Sequence, residues 1–279
     1  MSVPAMPKYI PENLRDAAPG HRFNLYFPLW QEGNWHINKS DKTPALKSCT
    51  TIGSSAEQLR AILQRQKSLI QHHGAGGYHI STTSTAPFAT GLGNEHPIEN
   101  GFAFLTPYGL PYLAGSGVKG ILRRSMQELR NDGVDGFTDT AIDALFGHET
   151  VNQPEDAKRG ALDFWDVFPN PAGGKLVVEI MTPHFSKYYQ GEETPHDSGA
   201  PVPVCFLAVP AQSQFDFHVV CQPNRLPSEL QDQWRDLLDR AFAHAFEWVG
   251  FGAKTSVGYG AMAAANAQRP RSLSDLGHR

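Results

Sequence analysis

The chain has 279 residues, of which 24 are Lys or Arg, 28 are Asp or Glu and 40% are hydrophobic. A chain of this size and composition can bury one large core or two small ones, which argues against a disordered or repeat protein. The formal net charge of −4 also argues against a polycation that coats nucleic acid nonspecifically, so any anion site must be local.

Cysteine content and hydropathy indicate the compartment. The cysteines, Cys49, Cys205 and Cys221, form no CxxC pair, which favours reduced thiols over a zinc knuckle or a redox motif. Prolines interrupt residues 1–13, where a signal peptide needs an apolar core, and the longest apolar run, 201–211, is short and broken by proline. We therefore expect a cytoplasmic protein without a membrane segment.

The first half of the chain predicts an arm, a helix and a strand. Residues 1–50 mix aromatic residues with Pro, Gly and Asn without a period, which predicts an irregular arm packed on the core. Ser55 and Gln58 form a capping-box pattern that opens a helix ending at the glycines of 74–77. Residues 78–103 predict a strand followed by a loop. The apolar stripe of the helix is Leu59, Ile62, Leu63, Leu69 and Ile70.

A second helix is predicted from Gly117 to about Leu129, followed by an acidic segment. Residues 131–166 contain nine acidic and two basic residues and include a short helix, Asp139 to Phe146. Strands are predicted near 161–167, 175–181, 202–209 and 215–220. The buried stripe of the second helix is Val118, Ile121, Leu122, Ser125 and Leu129.

The last helix opens at Pro227 and Ser228, with Gln231 completing a capping box, and ends at a glycine loop, 250–260. A short strand, 261–264, follows. This order of elements predicts an α+β fold, an antiparallel sheet with helices on one face, and resembles a ferredoxin-like fold with insertions. We expect one domain over 51–265 and a disordered tail over 266–279. The stripe of the last helix is Leu230, Trp234, Leu237, Leu238, Ala241, Ala245 and Trp248.

Two glycine-rich segments, 114–120 and 250–260, are the strongest candidates for function. Each places a lysine, Lys119 or Lys254, among backbone N–H groups that can bind phosphate oxygens. Neither contains GxxxxGK[ST] or GxGxxG, so nucleotide-enzyme chemistry is not indicated. The alternative is that the glycines only turn the chain. The candidate binding residues are Gly115, Ser116, Gly117, Lys119, Arg123, Gly252, Lys254, Thr255, Ser256 and Tyr259.

Basic residues form a stripe on the second helix. At roughly 100° per residue, Lys119, Arg123 and Arg130 fall within about 40° of one another. Residues 111–130 hold four bases and one acid directly before the acidic segment, so the charge is strongly uneven. Arg124 projects to a different face of the helix, where we expect it to form an ordinary surface ion pair. The alternative for Lys119 and Arg123 is a solvated helix face.

Catalytic patterns are weak. The 12 histidines include His72 and His96, but none lies in HExxH or in a paired i, i+4 spacing, so hydrogen-bonded structural roles are favoured. GxSxG is absent, and the acids of 131–166 are typical of caps and turns. We therefore expect no metal and no cofactor.

The polar segment 184–201 predicts a protruding loop between two apolar runs. It contains Lys187, Tyr188 and Tyr189, and aromatic rings beside a cation can stack on bases. The alternative is that the tyrosines fold back on the domain.

Two motifs resemble the repeat-associated mysterious protein (RAMP) superfamily of CRISPR systems: 110–123 (LPYLAGSGVKGILR) and 250–260 (GFGAKTSVGYG). Three further segments resemble the sixth subunit of the type III-B, Cmr-type effector. They are 90–99 (TGLGNEHPIE), 160–169 (GALDFWDVFP) and 180–191 (IMTPHFSKYYQG).

The resemblance implies a modified ferredoxin-like core in a noncatalytic subunit of a ribonucleoprotein. Its partners would be CRISPR guide RNA near the 3′ end, complementary target RNA and neighbouring RAMP subunits, in antiviral defence. The glycine loops, Lys119 and Arg123 would then hold backbone phosphates, and the loop at 184–200 could be a thumb-like projection.

Two alternatives remain open. One is a metal-independent RAMP endoribonuclease with His96 or His72 as the acid–base group and Lys254 stabilising the phosphorane. The other is a scaffold that touches only protein.

Overall fold

The structure is a computed structural model that describes residues 2–7, 9–10, 14, 16–148, 157–182 and 203–264. Within these ranges the α-helices are α1 (Pro19–Asn24), α2 (Lys42–Ser48), α3 (Ser55–His72), α4 (Gly115–Asn131), α5 (Asp139–Phe146) and α6 (Trp234–His244). The strands are β1 (Ser2–Pro4), β2 (Pro28–Gln31), β3 (Gly77–Ser84), β4 (Phe104–Leu105), β5 (Leu110–Pro111), β6 (Gly147–His148), β7 (Lys158–Arg159), β8 (Leu162–Phe164), β9 (Val177–Met181), β10 (Val204–Ala208), β11 (Gln214–Cys221) and β12 (Met262–Ala264).

Helices and antiparallel sheets occur together, which confirms the predicted α+β class. The chain divides into two compact units. The single domain over 51–265 stays a prediction. Unit 1 comprises Met1–Ile62, Ala89–Tyr112 and Asn170–Pro210. Unit 2 comprises Leu63–Phe88, Leu113–Pro169 and Ala211–Arg279. The predicted tail, 266–279, lies outside the described residues.

Unit 1 contains the whole segment predicted to be an irregular arm, residues 1–50. Residues 1–50 instead hold β1 paired with β2, together with α1 and α2. Phe23, Leu29 and Leu46 from this segment are buried, and the ring of His96 stacks on Phe23 at 3.9 Å. The burial of these residues agrees with the expected packing, whereas the helices and the β1–β2 pair are regular elements that no local period reveals. Strands β9 and β10 form a second antiparallel pair in this unit.

Unit 2 contains a four-stranded sheet in the order β12-β3-β11-β8. Every neighbouring pair is antiparallel, with Tyr78 opposite Val219, Val219 opposite Phe164 and Met262 opposite Ser84. Along the chain the elements follow as β3, α4, β8, β11, α6 and β12, with α5 inserted between α4 and β8. Both central strands, β3 and β11, thus come from segments more than a hundred residues apart.

One face of this sheet is covered by α6. The Phe217 ring lies 5.3 Å from the Phe242 ring and 5.7 Å from the Phe246 ring. Tyr78 stacks on Phe242 at 5.7 Å, and its hydroxyl donates to Asp239 at 2.5 Å. Because successive strand residues point to opposite faces, the residues adjacent to Tyr78 and Phe217 point to the other face.

Most helix predictions are confirmed, with two corrections to the buried stripes. α3, α4 and α5 occur where the pattern places them, and Thr138 caps α5 by accepting from the Ala141 N–H. Leu69 is 47% exposed and Trp248 is 72% exposed, although both were expected to be buried. Trp248 turns outward because Ala245–Val249 forms a π-helical turn after α6, which is wider than an α-turn and shifts the phase of the helix.

Candidate functional site

A pocket of about 370 Å³ lies at the start of α4. It combines the first turn of a 17-residue helix with two cationic side chains, Lys119 and Arg159. The helix start supplies backbone N–H groups and the positive end of the helix dipole, which favour an anion. The residues that line the pocket are Gly115, Ser116, Lys119, Arg159, Gly160, Leu162, Asp163 and Phe164.

The position of Gly115 is fixed by β8. A Cβ atom on Gly115 would lie 2.3 Å from the carbonyl oxygen of Phe164, so only glycine lets α4 begin this close to the strand. The Gly115 N–H donates to Asp166 Oδ1 at 2.7 Å. A carboxylate of the chain itself therefore occupies this donor, and the Gly117 N–H donates to the Ala114 carbonyl at 2.8 Å. An incoming anion would meet the remaining part of the pocket, beside Ser116 and Lys119.

Lys119 and Arg159 differ in their partners. The Lys119 side chain is half-buried, and no ion pair to it occurs in the part of the chain that the structure describes. The exposed Arg159 guanidinium donates to Asp163 Oδ1 at 2.5 Å. Burial alone would raise the pKa of Asp163, but hydrogen bonds from Gln222 and Arg159 hold it below its ordinary value. Sequence reasoning missed Arg159, because only the return of β7 and β8 beside α4 brings it to the pocket.

The remaining arginines of α4 are paired. Arg123 lies 3.6 Å from Asp143, and Arg130 contacts Asp139, both on α5. The predicted basic stripe is therefore partly neutralised by the acidic segment that follows it. Arg124 pairs with Glu128 at 2.8 Å, which confirms the predicted surface ion pair.

The second glycine segment, 250–260, is a tightly held loop. Gly250, Gly252, Gly258 and Gly260 have positive φ, and Lys254 is in the left-handed region with φ 60°. The loop is closed by hydrogen bonds between the Phe251 N–H and the Gly260 oxygen at 3.0 Å. A Cβ atom on Gly260 would lie 1.8 Å from the Phe251 oxygen, so this glycine is required.

Thr255–Val257 forms a 3-10 turn inside this loop. Ser256 is exposed there, and Tyr259 is half-buried. The loop therefore presents its polar side chains from a fixed backbone.

The two glycine segments flank opposite edges of the sheet. The first lies against β8 and the second leads into β12, with two strands between them. Three strand spacings of roughly 4.8 Å separate the edges by about 14 Å across the sheet. Met262 pairs with Ser84, whereas Phe164 lies level with Tyr78 through Val219, so the two segments are also offset by about 20 Å along the strands. The candidate residues therefore form two separate contact points rather than one pocket.

The candidate acid–base histidines have other roles. The His96 ring is hydrogen-bonded through Nε2 to the Phe23 carbonyl at 2.9 Å, and Nδ1 accepts from the Ile98 N–H at 3.4 Å. Burial lowers the pKa of His96. His72 Nδ1 lies 2.7 Å from the Ser68 carbonyl on the exposed side of α3.

Lys187, Tyr188 and Tyr189 lie outside the described residues. Within the described ranges, no group of His, Cys, Asp and Glu could hold a metal ion. Among the helices of those ranges, none has the length and apolar character needed to cross a membrane.

Comparison with known families agrees with the motifs. The model of the RAMP superfamily matches residues 79–263, and the chain belongs to this superfamily. Within it, the chain is similar to the CRISPR system Cmr subunit Cmr6 of Pyrococcus furiosus. The two are 30% identical over 224 residues, which is 61% of this chain and 63% of that protein. The resemblance to the sixth-subunit family is thereby confirmed.

A second curated relative and one solved structure are also similar to the chain. The Cmr6 subunit of Saccharolobus solfataricus is 23% identical over 162 residues, which is 58% of this chain and 47% of that protein. The chain thus spans less than two thirds of either curated relative. A cryo-EM structure of the type III-B Cmr-β complex bound to cognate target RNA contains a chain with the same fold. Its TM-score is 0.56 at 18% identity, over 82% of this chain and 76% of that chain.

Proposed function

We propose that this protein is a noncatalytic RNA-binding subunit of a type III-B CRISPR effector complex. It holds guide RNA near the 3′ end and helps to capture complementary target RNA in antiviral defence, beside neighbouring RAMP subunits. The observation that carries this proposal is the pocket at the start of α4, where Lys119 and Arg159 lie beside Gly115 and Ser116 of the first helical turn. The similarity to Cmr6 subunits supports the same role.

The pocket is suited to a backbone phosphate. Two cations and a helix start bind phosphate oxygens without contacting a base, so such a site positions RNA and does not read its sequence. The loop 250–260 is a second contact point at the other edge of the sheet, with Lys254 and Ser256 on a rigid backbone. Two points roughly 25 Å apart, combining the distances across and along the strands, would fix the direction of an RNA strand.

The sheet of unit 2 is, in this proposal, a ferredoxin-like core. The order strand, helix, strand, strand, helix, strand and the fully antiparallel pairing are those expected of that fold. The helix α5 and the segments Ala89–Tyr112 and Asn170–Pro210 are then insertions into it, and Met1–Ile62 precedes it in the chain.

The endoribonuclease alternative has less support. Both ring nitrogens of His96 are engaged by backbone groups, and His72 is tied to its own helix. A general acid or base needs a nitrogen that can reach the substrate. The other alternative is a scaffold that contacts only protein. A direct measurement of RNA binding distinguishes it from the proposed function, because such a scaffold would not bind RNA.

The test replaces each pocket cation and measures guide-RNA affinity against salt concentration. Lys119→Gln and Arg159→Gln should each weaken binding about 10-fold and reduce the slope of log K against log salt by about 1. Arg124→Gln is the matched control on the same helix, because its guanidinium is paired with Glu128 away from the pocket. Unchanged slopes for both pocket variants would contradict the proposal. Cleavage of RNA by the purified protein, lost in His96→Ala, would favour the nuclease.

A further inference from the structure

A row of aromatic rings lies on the face of the sheet opposite α6. Since Phe217 points to α6, its neighbours Asp216 and His218 point to the other face. The register places His79 of β3 opposite His218 and Ser81 opposite Asp216. The two central strands of the sheet thus contribute one polar and aromatic cluster, and all of its residues belong to unit 2.

The rings form a continuous stack. The His79 and His218 ring centroids are 4.8 Å apart with an interplanar angle of 23°. Trp165, which follows β8, stacks on the other side of His218 at 5.6 Å and 27°. His73 meets the edge of Trp165 at 6.1 Å. These distances and angles are those of stacked and edge-to-face aromatic contacts.

His218 is the unusual member of the stack. It is 3% exposed, and neither ring nitrogen has a hydrogen-bond partner among the described residues. Buried polar groups are normally paired, so such a ring indicates a missing partner. Burial and the neighbouring His79 lower the pKa of His218 to about 4, so the ring is neutral at pH 7, with one donor and one acceptor.

The exposed end of the row carries a carboxylate. Asp216 Oδ1 accepts from His79 Nε2 at 3.0 Å and also from the Ser81 hydroxyl. About a third of each side chain in the His79–Asp216 pair is exposed. Both of these hydrogen bonds end on Oδ1, which leaves Oδ2 to accept from a ligand.

Two other functions fit this cluster poorly. A nucleophilic serine needs a histidine whose second nitrogen is held by the acid, but Ser81 and Asp216 both approach the same nitrogen, Nε2 of His79. A metal site is disfavoured because that nitrogen is hydrogen-bonded to Asp216, and no metal-binding group occurs among the described residues.

We propose that this row is a stacking site for one unpaired nucleobase that presents an amino group. Histidine and tryptophan rings on a β-sheet stack on bases, and a carboxylate accepts from an exocyclic amino group such as N4 of cytosine. The inference rests on the proposed function, because it takes RNA as the ligand, and it adds a base contact to the phosphate contacts.

The row adjoins the phosphate pocket through β8. Phe164 lines the pocket, and the next residue, Trp165, belongs to the row. Successive residues of a strand point to opposite faces, so a nucleotide chain passing this edge of the sheet meets both. Phosphate contacts position an RNA strand, and base contacts provide a preference for particular bases. In this arrangement one face of the sheet would contact the phosphate and the other face would contact the base.

The experiment measures binding of the full-length protein to the oligonucleotides C8 and U8 at low and high salt. His79→Ala should weaken C8 binding about 10-fold, and the loss should persist at high salt, because stacking releases no counterions. His79→Phe retains a ring and should bind C8 within about threefold of the wild type. Asp216→Asn should reduce the preference for C8 over U8.

Ultraviolet crosslinking of C8 to the wild-type protein identifies the peptides that contact the oligonucleotide without any substitution. Crosslinked peptides should contain residues 77–84 or 162–169. Crosslinks confined to other peptides, or equal affinities for wild type and His79→Ala, would overturn the stacking site. If Lys119→Gln still weakens binding in that case, the proposed function stands without it. If the wild-type protein binds neither oligonucleotide nor guide RNA, both proposals fail.

Discussion

The Asp166 carboxylate accepts a hydrogen bond from the Gly115 N–H at 2.7 Å, so a negative charge of the chain itself caps α4 beside the pocket at the start of that helix. A carboxylate at a helix start stabilises the helix through its hydrogen bond and through the helix dipole. The same charge repels a phosphate that enters the pocket. The Asp166 charge is therefore expected to increase the stability of the fold and to decrease its affinity for RNA.

Removing this charge should separate the two effects. Asp166→Asn keeps an acceptor for the Gly115 N–H and should raise guide-RNA affinity at low salt about threefold, because the repulsion is gone. Asp166→Ala also loses the cap and should lower the free energy of unfolding by about 1 kcal/mol. Binding by fluorescence anisotropy and urea unfolding measure the two quantities. Asp232→Asn is the control, because this exposed aspartate lies before α6 and should change neither. Weaker RNA binding by Asp166→Asn would show that the carboxylate does not face the ligand.

Two glycines of α4 should respond oppositely to the same substitution. Gly115→Ala places a methyl group 2.3 Å from the Phe164 oxygen and must separate α4 from β8. We therefore expect the free energy of unfolding to fall by about 2 kcal/mol or more. Gly120 has open space around its position and lies inside the helix. Gly120→Ala should therefore raise the free energy of unfolding by roughly 0.5–1 kcal/mol. Thermal or urea unfolding of both variants checks the pair, and equal effects would contradict the close approach of α4 to β8.

The sequence predicted elements whose causes are local. The apolar spacing of α4 and the alternation of β11 are properties of one segment, and both elements occur where they were expected. Arg159 could not be predicted as a pocket residue, because its position depends on a return of the chain after α5. The His79, His218 and Trp165 row was missed for the same reason, since it requires the pairing of three distant strands. The pairing of Arg123 with Asp143 was hidden because a charge count does not show which charges meet.

The two tryptophans near the ends of the last helix test the π-helical turn. Trp234 is 5% exposed, so Trp234→Ala should cost about 3–5 kcal/mol of unfolding free energy. Trp248 is 72% exposed, and Trp248→Ala should change the stability by less than about 0.5 kcal/mol. Urea unfolding measured by far-UV circular dichroism avoids the loss of a tryptophan fluorophore. A large loss for Trp248→Ala would mean that the helix continues as an α-helix and buries this ring.

His218 should make the stability of the protein depend on pH in a defined window. Its pKa is about 4 in the folded protein, against an ordinary value of 6.5. As the pH falls from about 6.5 to about 4, the unfolded chain gains a proton that the folded chain does not, so the folded state loses stability. The loss approaches about 3 kcal/mol at the lower end of the window. Asp216 acts outside this window, because its pKa is lowered by the hydrogen bond from His79, and its stabilisation is lost only below the ordinary aspartate value.

His218→Phe keeps a ring in the stack and removes the titrating group. The difference in unfolding free energy between wild type and this variant should therefore fall by about 3 kcal/mol between pH 7 and pH 4. Titrating groups away from His218, such as His96 with its pKa lowered by burial, are present in both proteins and do not enter this difference. A difference that stays constant with pH would show that His218 takes up a proton in the folded state. Its nitrogens would then reach water or a polar partner, and the stacked row would not be desolvated in the free protein.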